Sequence, residues 1–175
     1  MVELAVDNRT YDLSRREADV AFRAMRPKEG DLFGRKLIDV RWGIYAAPDY
    51  LRARGAPRRP AGLAGHDVIG WAEFSHPTRA ATFIAQYAAP AQIGFRSSSL
   101  VNQMLAAKAG LGLAVLPCYL AAAENGLKPA IVPLKDLVTE LWIVTHLSLK
   151  DTARVRAFME TVGEGVRNRL RGGND

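Results

Sequence analysis

One stretch constrains the fold more than any other: RSSSLVNQMLAAKAGLGLAVLP, residues 96–117. Ser97, Ser98 and Ser99 offer side-chain oxygens for an N-cap, Leu100, Val101, Met104 and Leu105 recur as a helical apolar stripe, Lys108 complements the C-terminal dipole and Gly110 stops the helix. The run LGLAVLP that follows has no polar member, which is the pattern of a strand covered on both faces, as in a parallel sheet. A helix fed directly into such a strand belongs to an α/β chain rather than a bundle or a sandwich.

The rest of the chain repeats this alternation. Val2, Leu4 and Val6 alternate with Glu3, Ala5 and Asp7, predicting a strand, and VAFR at 20–23 predicts another after a polar helical turn over DLSRREAD. A loop over MRPKEGDLFG precedes a long strand at 35–47. Pro48 suits the first position of a helix that Gly55 can end, and a strand is expected at the end of AGLAGHDVIGW. Residues 77–87 read as a helix, 91–96 as a strand, 118–125 as a helix, and 129–133 and 141–146 as strands. A last helix, 150–170, places Val155, Phe158, Met159, Val162, Val166 and Leu170 on one face, with Gly163 and Gly165 as weak points.

Composition narrows the function. With 175 residues, 49% of them apolar, the chain can bury a sizeable core without staples. Its single cysteine, Cys118, excludes an internal disulfide and any multi-cysteine metal site. The start MVELAVDNRT has neither the basic nor the apolar region of a leader, so a cytoplasmic location is expected, and NRT at 8–10 carries no weight as a glycosylation site. A net charge of +6 raises nucleic acid as a partner. The cations sit in two knots, Arg52, Arg54, Arg58 and Arg59, and Arg167, Arg169 and Arg171, without interleaved aromatic residues, so solvated surface is the better reading.

Tests for catalysis and cofactors come out empty. His66, His76 and His146 are the histidines that could serve a nucleophile, no GxSxG or HExxH is present, and Cys118 after Pro117 reads as a packed thiol. GLGLAV at 110–115 has helix before strand, the reverse of the dinucleotide-binding order, so its glycines read as a helix stop and a tight connection. No cofactor, no metal and no enzyme activity are therefore expected. Recognition remains: a serine-rich helix start carries free amides and positive dipole, and can hold a carboxylate or simply cap itself.

Four segments in order resemble the effector-binding domain of LysR-type transcriptional regulators: LSRREADVAFR at 13–23, IYAAPDYLRARGAPRRPAGLAGHDVIGW at 44–71, SSSLVNQMLAAKAGLGLAVLPCYLAAAENG at 97–126 and LWIVTHLSLKDTARVRAFMETVGEGV at 141–166. The resemblance implies a periplasmic-binding-protein-like (type II) two-lobed α/β fold, truncated at the N-terminus, since the chain begins at what resembles the second strand of lobe one. It implies lobe one at 1–43 plus 147–175 and lobe two at 44–146, with crossing strands at both ends. It further implies a small-molecule effector, a carboxylate, between the lobes, with Arg23, Trp71, Ser97, Ser98 and Ser99 as its site. Homo-oligomers are expected, with DNA contact only through a helix-turn-helix domain outside this chain. A transporter's solute-binding protein and an enzyme on the same scaffold are the competing readings; the first should carry a leader and the second a catalytic acid, base or phosphate clamp.

Overall fold

The computed structural model describes residues 1–6, 9–28, 30–72 and 78–172. Asn8 and His76, both considered above, lie outside the described residues. The chain divides into two compact units, one built from Met1–Asp39 with Thr139–Arg171, the other from Val40–Val138.

In the first unit, strand β1 (Val20–Arg23) pairs antiparallel with β7 (Val138–His146), from Val20 opposite Thr145 to Arg23 opposite Trp142. On its other side β7 is bonded to β2 (Leu32–Ala46), the long strand expected at 35–47, along which the chain leaves this unit. Helix α5 (Ala153–Arg171) covers the unit's core with the stripe read from sequence: Val155 and Met159 pack with Leu37, Ile143 and Leu149, and Phe158 and Val166 flank them. Gly163 is a close-packing position rather than a weak point, because a Cβ there would stand 2.6 Å from the Arg35 guanidinium. That guanidinium donates to the carbonyl of Met159.

The expected strand at the N-terminus is not formed. Met1–Val6 has no regular structure, and Val2, Leu4 and Val6 are 72%, 78% and 90% exposed. Alternation makes a strand only where a neighbour takes its main-chain hydrogen bonds and a core takes one face. Among the described residues neither lies beside this segment.

In the second unit the strands run β2, β5 (Leu113–Pro117), β3 (Val68–Gly70), β4 (Ile93–Arg96), with β6 (Lys128–Ile131) also on β2. β3 is parallel to both β4 and β5, while β2 is antiparallel to β5 and β6. β5 is buried along its whole length, as its unbroken apolar run predicts. Helices α1 (Pro48–Arg54), α2 (Arg79–Tyr87), α3 (Leu100–Lys108) and α4 (Cys118–Ala122) complete the alternation. Pro48 stands in the first turn of α1 and Gly55, at φ 77°, ends it.

The face of α3 differs from the expected one. Val101 and Leu105 are 51% and 49% exposed, and the buried positions are Gln103, Ala106 and Ala107. Ala106 and Ala107 pack with Ala114 and Leu116 of β5 and Ile69 of β3, while Leu100 and Met104 lie at the margin. Small side chains let a helix lie close to a sheet, and Gln103 can join that face because its amide has an internal acceptor.

Candidate functional site

β3 and β4 run side by side in the same direction, Val68 opposite Ile93 and Gly70 opposite Arg96, so their carboxyl ends open at one end of the second unit. This is where open α/β sheets hold ligands. Trp71 leaves β3 there and Ser97 leaves β4, and the Ser97 N–H donates to the carbonyl of Gly70 at 3.1 Å.

The three serines make a compact turn into α3. The Ser97 hydroxyl oxygen accepts the Ser99 N–H at 3.1 Å, and Ser99, in extended conformation, accepts the Asn102 N–H on its own hydroxyl at 3.4 Å. The carbonyl of Ser99 takes the Gln103 N–H at 3.0 Å, the first bond of the helix. All three serines are half-buried. Leu100 and Val101, in the first turn, have N–H groups with no acceptor inside α3, and the helix dipole adds positive potential at the same end.

Of the site residues expected from sequence, Trp71, Ser97, Ser98 and Ser99 thus come together in the second unit. Trp71 is half-buried; its carbonyl accepts from Arg96 Nη1 at 3.4 Å, and its indole Nε1 is buried with no partner among the described residues. Arg23 stands in the first unit at the end of β1, where its Nη2 donates to the carbonyl of Tyr11 at 3.2 Å.

Sequence reasoning missed Gln103. It is fully buried, its Nε2 donates to the carbonyl of Ser97 at 2.7 Å, and its Oε1 has no partner among the described residues. The available signal was Gln103 standing four positions after Ser99 and three and four positions before Ala106 and Ala107, in line with small residues, while the larger apolar residues point to a different face.

The remaining chemically interesting groups sit elsewhere. Cys118 is 5% exposed at the start of α4, near the Tyr45 hydroxyl, whose ionisation burial pushes well above the usual phenol range. Gly110 and Gly112 form the helix stop and the tight connection, with φ of 83° and 152°. His66 Nδ1 lies 3.3 Å from the Tyr50 hydroxyl, and burial, with Arg54 adding to it, lowers its pKa below the ordinary value. In the first unit His146 Nδ1 lies 2.6 Å from Ser148 Oγ and Nε2 lies 3.5 Å from Asp31 Oδ2, while the Ser14 hydroxyl also donates to Asp31. The Ser148 N–H shares Nδ1 at 3.2 Å and Arg16 Nη2 holds Ser148 Oγ at 3.0 Å, so this cluster clasps the turn after β7 to the turn at residues 12–17. No helix of the described residues is long and apolar enough to cross a membrane.

Comparison with known proteins gives a consistent outcome. The HTH-type transcriptional regulator CrgA of Neisseria meningitidis serogroup C (strain 8013) is 29% identical over 167 residues, 92% of this chain and 56% of that protein. The HTH-type transcriptional regulator PtxR of Pseudomonas aeruginosa is 32% identical over 170 residues, 93% of this chain and 54% of that protein. The chain therefore spans about half the length of these relatives. Among solved structures, the regulatory domain of Neisseria meningitidis CrgA superposes with a TM-score of 0.71 at 28% identity, covering 87% of this chain and 78% of that one. Full-length AphB of Vibrio cholerae, at 16% identity, a TM-score of 0.64 and coverage of 95% of this chain and 55% of that one, shares the fold. The CrgA domain is the regulatory domain of a LysR-type regulator, and such domains have the periplasmic-binding-protein-like type II fold. Residues 2–167 match the LysR substrate binding domain, and the chain belongs to that family.

Proposed function

We propose that this chain senses a small organic anion, a carboxylate, for a LysR-type transcriptional regulator, and that the anion is held at the Ser97–Ser99 start of α3 beside Trp71. The observation that carries the reading is the position of that helix start: it follows β4 at the carboxyl ends of two parallel strands, and its first-turn N–H groups need acceptors from outside the helix. Family membership supports a ligand there over plain capping. A regulator of this kind works in the cytoplasm and meets DNA through a separate domain, with this chain reporting the effector.

A thermal melt against a panel of small carboxylates tests the reading. A ligand at about a hundred times its dissociation constant raises stability by about 2.7 kcal/mol, well within detection. The best ligand is then measured on Ser97→Ala, Ser99→Ala and Arg23→Ala, each against its own ligand-free melt, because loss of the Ser99 cap alone costs about 1 kcal/mol. Weakened binding in the serine variants supports the site, and loss in Arg23→Ala adds the guanidinium as a contributor. A ligand whose shift survives all three substitutions binds elsewhere, and no shift at millimolar concentration sinks the carboxylate reading.

A further inference from the structure

We infer that the ligand of the Ser97–Ser99 site bears a hydroxyl beside its carboxylate, and that Gln103 Oε1 accepts a hydrogen bond from it. The inference rests on the site reading just proposed and adds the ligand's chemical class.

Gln103 is fully buried and its amide orientation is fixed. Nε2 donates to the carbonyl of Ser97 at 2.7 Å; turned end for end, the amide would set Oε1 against that carbonyl, acceptor against acceptor. Oε1 is thereby left buried and, among the described residues, without a donor. Buried side-chain oxygens in folded proteins nearly always have one, and an exception calls for a donor from outside the chain or a functional reason. Because the amide is tied to Ser97, the orphaned oxygen lies at the start of α3, in the turn where the anion is placed.

A second orphan of opposite kind lies at the same strand ends. Trp71 Nε1, a donor, is buried and unpartnered among the described residues, and Trp71 follows Gly70, whose carbonyl takes the Ser97 N–H. A plain carboxylate supplies acceptors only, and an ammonium group supplies donors only. A hydroxycarboxylate carries both kinds and so matches the full set: a carboxylate for the free N–H groups, a hydroxyl proton for the Gln103 acceptor and an oxygen for the Trp71 donor. Both orphaned atoms are shut from water, so leaving them unpaired carries a desolvation penalty that a donor and an acceptor on the ligand would remove.

Matched pairs separate the alternatives: lactate with propionate, malate with succinate, mandelate with phenylacetate, titrated calorimetrically into the chain and into Gln103→Met, which keeps the length of the side chain without its amide. In at least one pair the hydroxy acid is expected to bind about tenfold tighter or more, since a site that hydrogen-bonds a hydroxyl discriminates against the analogue without it. In Gln103→Met that preference, read as the ratio of the two affinities, should disappear, whatever the lost brace at Ser97 does to the affinity of both acids. On the unsubstituted chain, the side-chain amide signal of Gln103 should move with the hydroxy acid and stay with its partner, a readout independent of whether the variant folds. Pairs that bind equally, with the amide signal unmoved, overturn the inference and leave the carboxylate site standing; failure of every acid to bind overturns both.

Discussion

Gln103 Nε2 and the main-chain carbonyl of Ser97 meet across 2.7 Å inside the first turn and a half of α3, so a polar side chain serves as the internal brace of the helix start. Removing it should cost more than removing larger apolar neighbours on the same helix. Gln103→Ala is expected to lose about 2–4 kcal/mol, from the cavity and from the carbonyl left unpaired, whereas Val101→Ala and Leu105→Ala, at half-exposed positions, should each lose less than about 1 kcal/mol. Urea denaturation of the three variants checks the order, and Val101→Ala proving costlier than Gln103→Ala would refute it.

Where one residue pattern had one physical solution, the sequence was enough. The run Leu113–Pro117 could only be buried, the three- and four-residue spacing from Val155 to Val166 could only be one helical face, and Pro48 with Gly55 bracketed a helix. The N-terminal alternation failed because strand formation is decided by a neighbour, which no local pattern encodes. The α3 face was misread for a related reason: Ala106 and Ala107 win the sheet contact by being small, and Gln103 is admitted by a bond to a carbonyl six residues earlier. The serine cap was legible from local chemistry, but the adjacency of Ser97 to Gly70, and so to Trp71, follows from the parallel pairing of β3 and β4.

Cys118 supports packing. Cys118→Ala should cost on the order of 1 kcal/mol through the lost volume at a buried position. Carboxylate binding in that variant, measured by the same melt, is expected to match the unsubstituted chain. A binding loss after correction for stability, or stoichiometric zinc removed by the substitution, would contradict a packing role.

Stability should also carry a signature of His66. Its pKa is lowered in the folded chain, chiefly by burial, with Arg54 opposing the proton as well. On acidification the unfolded chain therefore takes up the proton first, at the ordinary value of 6.5, and the folded chain later. The contribution of His66 is present in full above 6.5, declines as the pH falls through the folded value, and changes no further below it. Urea midpoints measured on either side of that window should drop toward acid, and His66→Gln should flatten the drop. An unchanged slope in the variant would assign the effect to another group.

The connection from α3 into β5 gives the sharpest backbone test. Gly110 and Gly112 both have positive φ, 83° and 152°, but their surroundings differ: a Cβ on Gly110 meets open space, while one on Gly112 runs into the Asp67 carbonyl, 2.8 Å from its carbon. That carbonyl accepts the Leu113 N–H at 2.9 Å, next to the parallel pairing of Val68 with Leu113. Relief of the clash must move either the Asp67 peptide, whose N–H is held by the Tyr50 hydroxyl, or the start of β5, which is buried along its length. Gly110→Ala should therefore cost only its left-handed conformation, about 1–2 kcal/mol. Gly112→Ala adds a lost sheet bond and a displaced strand to a φ that L-residues avoid, for a total of about 3–5 kcal/mol. Equal losses in the two variants would mean that β5 enters the sheet with slack at Leu113, contrary to the packing described.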